Sequence, residues 1–213
     1  MNMTTHDEPP KASKKTYFMQ TTESLETKEP GSGLHPLRLL LILMIVSIIM
    51  MFAAFTSGFI VRREEGNWRE FDLPVSLLYN TIVIVLSSAT MQWAYASAKR
   101  DELGRAKLAM GLTVLLGFVF LAGQWFSWGD LIAGRTYFGG VDANPSGSFV
   151  YVLMGVHGFH LITGLVFLVK TYLKTIRYQV HSRQMMPIAN CTIYWHFLGG
   201  LWLYLYLFLL LNH

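Results

Sequence analysis

The sequence predicts an all-helical, polytopic membrane protein, a bundle of five transmembrane helices, and three observations carry that expectation. Of 213 residues, 53% are hydrophobic and only 14% charged, against roughly 25% charged in an ordinary soluble domain. The apolar residues gather into five runs long enough to cross a hydrocarbon core of about 30 Å as helices rising about 1.5 Å per residue. The Lys and Arg residues lie between those runs rather than on one face. The net charge of +4 therefore reads as membrane topology, and nucleic-acid binding is not expected. A single cysteine, Cys191, excludes a disulfide framework within the chain and any multi-cysteine metal or iron–sulfur site.

Residues 1–36 form the first element, a polar tail. Four lysines and five acids (Asp7, Glu8, Glu23, Glu26, Glu29) are mixed there with Pro, Ser and Thr, the composition of a flexible cytoplasmic segment. A secretory signal needs an apolar stretch of about 7 to 15 residues, and a mitochondrial transit peptide is poor in acids, so neither fits and no processing is expected. The transmembrane domain, 37–213, follows with spans at 37–60, 75–98, 108–129, 149–172 and 188–211. Apart from Arg38 and Lys170 near span ends, these contain no Asp, Glu, Lys or Arg. Their connections are a charged RREEGNWREFDLP, a basic KRDELGRAK, a glycine-rich segment around GGVDANPSG and a basic segment from Lys174, with breakers at Pro74, Pro145 and Pro187.

Five spans place the termini on opposite sides, which lets positive charge set the orientation. With the N-terminus inside, 13 Lys and Arg residues lie inside and Arg62, Arg63, Arg69 and Arg135 outside. Setting aside the three lysines far from the first span still leaves 10 against 4. The expected orientation is N-terminus inside, C-terminus outside. Trp68, Trp125, Trp128 and Tyr137 then fall toward the outer ends, where interfacial aromatic anchors belong.

Polar and small residues inside the spans share helix faces at about 100° per residue. The fourth span aligns Leu153, His157, His160 and Gly164; the fifth His196, Gly199, Gly200 and Leu203; the third Thr113, Gly117, Phe120 and Gln124; the second Asn80, Ser87 and Met91. Each such stripe is expected to point into protein. The plainer reading is close helix packing with interhelical hydrogen bonds. The sharper one is cofactor ligation, because imidazole binds heme iron and histidines within a membrane are functional candidates; His160 and His196 both lie at depths near the bilayer centre. Ion or proton transport by this chain alone normally requires carboxylates or lysines buried in the spans, away from their ends, and none is there. Nucleophilic catalysis also lacks its parts, with no GxSxG elbow, no HExxH and no glycine-rich phosphate loop. Cys191 reads as a small packing residue.

The ordered motifs MIVSIIMMFAAFTSGFIVRR, LYNTIVIVLSSATMQWA, LTVLLGFVFLAGQW, FVYVLMGVHGFHLITGLVFL and YWHFLGGLWLYLYLFLLL resemble subunit III of the heme-copper terminal oxidases, in a five-span form lacking the first two helices of the longer version. The likeness covers about residue 37 to the C-terminus, and the HGxH at His157 to His160 and the YWHF at Tyr194 to Phe197 are its most specific parts. It implies a noncatalytic subunit of a cytochrome c oxidase that itself binds no heme, copper or other metal. Those cofactors would sit in partner subunits I and II. Such a subunit packs on subunit I, holds structural phospholipid in a cleft, supports sustained turnover and proton uptake, and can meet a small subunit IV and a respiratory supercomplex.

By position, Lys174 and Arg177 match basic residues that meet lipid headgroups in relatives, although topology alone also places basic residues there. Asn80, Gln124, His157, His160, Trp195 and His196 are the buried polar packing and interface set. Relatives carry acids where this chain has Ile48, Ser127 and Gly199, so carboxylate roles at those positions do not transfer; losing a buried acid together with its partner can be neutral or stabilising. The expected location is a bacterial inner membrane. A quinol oxidase or a nitric-oxide-reductase-associated relative is the nearest alternative. An independent b-type cytochrome ligated by His160 and His196, and an orphan assembly or transport protein, are alternatives of other classes.

Overall fold

The computed structural model describes residues 35–64, 74–133, 145–177 and 186–212. The tail up to residue 34 lies outside the described residues, as do Trp68, Arg69, Arg135, Tyr137 and Arg183. His35–Leu39, with the first turn of the first helix, belongs to one compact unit, and everything from Leu40 onward belongs to a second. Five helices run in chain order: α1 Pro36–Glu64, α2 Ser76–Lys99, α3 Leu103–Ala133, α4 Pro145–Ile176 and α5 Met186–Asn212. Among the described residues there is no strand, and the all-helical, five-span expectation holds.

At 24 to 32 residues, the helices measure about 36 to 48 Å. All but α2 outrun the apolar stretches because hydropathy marks the membrane edge, whereas backbone hydrogen bonding continues until a cap stops it. Thus α3 begins at Leu103, through the basic turn of Arg105 and Lys107. Pro145 and Pro187 sit in the first turns of α4 and α5, where a missing N–H costs nothing; they open helices rather than close them.

The α2–α3 connection is the tightest. Asp101 adopts φ 57°, and around it Glu102 N–H bonds to Ser97 O at 3.0 Å and Asp101 N–H to Ala98 O at 3.2 Å. These two bonds form a Schellman cap, with Asp at the left-handed position that Asn and Asp tolerate better than other side chains. Three residues therefore reverse the chain.

Within the second unit, α2 packs on α3, α3 on α4, α4 on α5 and α5 back on α2, closing a four-helix ring. Its centre is filled by Trp195, Trp202, Phe120, Leu153, Met91 and Ile84, all almost fully buried. Helix α1 lies outside the ring against α4 and α5. Its Phe59 meets Phe149 and Phe208 edge-on, and its Phe52 meets His157 and His160. The outward surface carries Leu43, Met50, Leu115, Phe118, Ile162, Val166 and Leu207, a coat that only lipid or another apolar surface can cover.

Candidate functional site: polar seams of the ring and a basic groove

Helix α2 is the polar hub. Its buried Asn80 donates from Nδ2 to Ser127 Oγ of α3 at 3.1 Å. A Cβ on Gly123 would collide with the Asn80 amide, so glycine there is what admits the side chain. At the next residue, Thr81 Oγ1 accepts from Trp202 Nε1 of α5 at 3.1 Å. Ser87 Oγ accepts from Trp195 Nε1, also at 3.1 Å, and Thr90 and Thr113 share a hydroxyl bond at 2.9 Å. The indole donors of both central tryptophans are thereby satisfied, as buried donors should be.

The second and third spans place their stripes inside, and so does the fourth except at His160, which is half-buried. Asn80, Ser87 and Met91 are buried, as are Thr113, Phe120 and Gln124, and Leu153 and His157. Gly164 and Gly117 lie against Leu198 and against Leu165 and Trp195. The fifth span departs from expectation. Its inward face is Trp195, Leu198, Trp202, Leu205 and Leu209; of the expected stripe Gly199 is buried, whereas His196 is only half-buried and Gly200 and Leu203 are exposed. Bulk decides here: the ring's centre needs two indoles to fill it, and these turn His196 and Gly199 to the α2 edge while Gly200 lines a groove with Ile49, Phe52 and Ala53 of α1.

At that edge Ser88 Oγ hydrogen-bonds to His196 Nδ1, and Gln92 Oε1 accepts from His196 Nε2 at 3.2 Å. Both ring nitrogens are thus engaged within the chain. His160 sets Nδ1 on its own helix's Val156 carbonyl at 2.8 Å. His157 is wholly buried among Phe52, Phe120 and Trp202; neither of its ring nitrogens has a hydrogen-bond partner among the described residues, and the same is true of the Gln124 amide. Among the described residues no three His, Cys, Asp or Glu side chains gather as a metal site would require.

At the positions where acids were expected from the resemblance, Ile48 is core, Ser127 takes the Asn80 bond, and Gly199 lies against Ile84 and Ser88. The basic pair sits elsewhere. Lys174 is in the last turn of α4 and Arg177 just beyond it, both exposed. With Lys170, Phe167, Leu173 and Pro187 they line an open groove of about 310 Å³. Lys170 was not singled out from sequence, although its spacing from Lys174 and Arg177 (i, i+4, i+7) puts all three on one face. Cations at a helix C-terminus also complement its dipole. Thr56 with Tyr204 (3.0 Å) and Thr163 with Tyr194 (3.1 Å) were likewise missed, because a lone threonine in an apolar run gives no sign of its partner.

The fold and these seams define a multi-pass helical membrane protein whose polar residues serve helix–helix packing, with uncharged interior bonds and a cationic groove at one helix end. Residues 21–212 match the family described as cytochrome c oxidase subunit III, and the chain belongs to that family. It is 36% identical over 137 residues to cytochrome c oxidase subunit 3 of Gadus morhua, covering 64% of this chain and 49% of that one. The same-named protein of Pelomedusa subrufa is 31% identical over 188 residues, covering 80% and 67%. That of Locusta migratoria is 30% identical over 201 residues, covering 88% and 72%. The chain thus spans about half the length of the first of these relatives.

Proposed function

We propose that this chain is the noncatalytic subunit III of a proton-translocating heme-copper cytochrome c oxidase, packed on subunit I in a bacterial inner membrane. The observation that carries this is the family match over residues 21–212, on a chain whose described span interiors hold hydroxyls, amides and indoles in place of acids or lysines. Electron transfer and dioxygen reduction then belong to subunits I and II, which hold the heme and copper, with a small subunit IV and a respiratory supercomplex as further partners. The N-terminus is cytoplasmic and the C-terminus periplasmic, supported by the excess of Lys and Arg on one side. Structural phospholipid is held with its headgroup phosphate against Lys174 and Arg177, joined by Lys170, at about one kcal/mol per basic side chain. The subunit's contribution is durability of turnover.

A tagged copy purified from its own membrane in mild detergent tests this. The expected result is a stoichiometric large polytopic partner with an a-type reduced-minus-oxidised spectrum, together with a copper-bearing companion. A chain that elutes alone and colourless, or alone with a b-type spectrum, overturns the reading. An a-type complex without the copper-bearing subunit moves it to a quinol oxidase.

A further inference from the structure

Away from the packed seams, one buried amide faces a groove instead of a partner. Between α3 and α4 an open groove of about 250 Å³ is lined by Leu121, Gln124 and Trp128 of α3 and by Met154, Gly155 and Gly158 of α4. Gln124 is only 7% exposed, and neither its amide nitrogen nor its amide oxygen has a hydrogen-bond partner among the described residues. The same holds for the buried Trp128 Nε1. Four residues apart, the two side chains share one face of α3, and the Trp128 ring is fixed edge-on to Tyr151 of α4 at 6.3 Å. Ser47 and Thr163, polar residues elsewhere on the outer surface, are instead closed onto carbonyls of their own helices.

Depth sets what can reach those donors. Trp128 stands 5 residues before the end of α3 at Ala133 and Gln124 stands 9 before it, about 8 and 14 Å along the helix. A helix of 31 residues overhangs a hydrocarbon core of about 30 Å by about 8 Å at each end. Trp128 is therefore at the membrane edge and Gln124 about 6 Å beneath it. On α4, Gly155, Gly158 and Ile162 stand 10, 13 and 17 residues after Pro145, which by the same reckoning is about 6, 11 and 17 Å beneath that edge. The groove thus follows one leaflet from its edge to about its mid-plane. Its floor is bare backbone, since a Cβ on Gly155 or Gly158 would meet open space, while Trp125, Phe159 and Ile162 stand exposed at its borders.

We propose that this groove seats one acyl chain of a glycerolipid of that leaflet, whose ester carbonyls accept from Gln124 Nε2–H and Trp128 Nε1–H. A water carried on the same glycerol donates to the Gln124 amide oxygen. A buried donor left unpaired within hydrocarbon is costly, and ester carbonyls are the acceptors that a bilayer presents nearest this depth. The glycine floor lets methylenes lie against the helix backbone. The site is at the opposite end of α4 from Lys170, Lys174 and Arg177, and it selects by a different chemistry. Cations read the charge of a headgroup; an amide and an indole read the ester and are indifferent to the headgroup. The proposal stands independently of the subunit reading above.

The test takes the tagged full chain, with whatever copurifies, and relipidates it in mild detergent with a phosphatidylcholine carrying a diazirine in one acyl chain. After photolysis, adducts are mapped by mass spectrometry. The expected outcome is label on segments 121–128 and 154–162 that survives a detergent wash clearing label from Leu115 and Phe118, with equal yield when the headgroup is phosphatidylglycerol. Gln124→Leu lowers that label by about 3- to 18-fold, the range of one interhelical hydrogen bond, and an ether-linked lipid, which lacks both carbonyls, lowers it at least as much on the wild-type chain. Gly158→Leu, whose new side chain enters open space, abolishes it with an unchanged thermal midpoint; should that variant fail to fold, the ester and ether lipids on the wild-type chain decide. Equal labelling by ester and ether lipids overturns the proposal, as does undiminished labelling in Gln124→Leu or label that washes from the groove as readily as from Leu115. Label retained only beside Lys170 and Lys174 also overturns it. A tightly held isoprenoid amphiphile extracted in place of a glycerolipid overturns the ligand class.

Discussion

Helices α1 and α5 are close in length, 29 and 27 residues, yet they relate to the rest of the molecule in opposite ways. Only Leu41, Ile48, Phe52, Thr56 and Phe59 of α1 are buried, whereas twelve residues of α5 are, including both central tryptophans. The less buried helix is also the more apolar over its membrane window. In water that ordering would be reversed. In lipid, acyl chains receive Leu and Met as well as a protein core does, so apolar character does not drive burial; shape and hydrogen bonding do. Helix α5 is central because its indoles interlock with α2 and α3. Helix α1 is held to it by Thr56 with Tyr204, Arg63 with Asn212 at 3.2 Å, and Phe59 edge-on to Phe208.

The largest test of that contrast is Trp202→Ala. It empties a site packed by Phe120 and His157 and removes the indole donor from Thr81, whose hydroxyl keeps its bond to Leu77 O, and is expected to cost about 3 kcal/mol or more, read as a fall in denaturant midpoint in detergent. Overpacking comes next. Gly117→Leu drives new atoms into Leu165 and Trp195, each already 2.9 Å from where a Cβ would stand, and costs about 1–3 kcal/mol on the same assay. Asn80→Ala removes the α2–α3 bond and leaves space beside Gly123; about 1–2 kcal/mol is expected, with Asn80→Ala and Ser127→Ala non-additive in a double-mutant cycle. Thr56→Val, which cuts one α1–α5 bond, costs about 0.6 kcal/mol. Met50→Ala on the outer face of α1 stays within about 0.5 kcal/mol. If Met50→Ala matched Trp202→Ala in effect, the contrast between the two helices would be wrong.

The same contrast explains what was legible in the sequence. Uncharged runs announce helices in a membrane whatever their packing, so all five were readable. The stripes of α2, α3 and α4 were readable too, since Asn80, Gln124 and His157 stand out against apolar neighbours. The orientation of α5 was not. Polarity ranked His196 and its glycines first there, while the packed face is chosen by the volume of Trp195 and Trp202, which hydropathy does not weigh. The basic groove was half legible: Lys174 and Arg177 were marked by charge, but Lys170 was counted as part of a span, because the extension of α4 to Ile176 becomes visible only with the backbone. The pairing of Asn80 with Ser127 needed the fold, since 47 residues separate them.

The Schellman reversal at Asp101 has a consequence for biogenesis. It joins α2 and α3 through three residues, and the two helices hide Asn80, Ser87, Thr90 and Thr113 largely against each other. A hairpin so composed can leave the insertion machinery as one unit, because each strand of polar groups arrives with its shield already attached by a short tether. The remaining helices then meet a preassembled platform, and the chain is spared any interval in which Asn80 must face lipid alone.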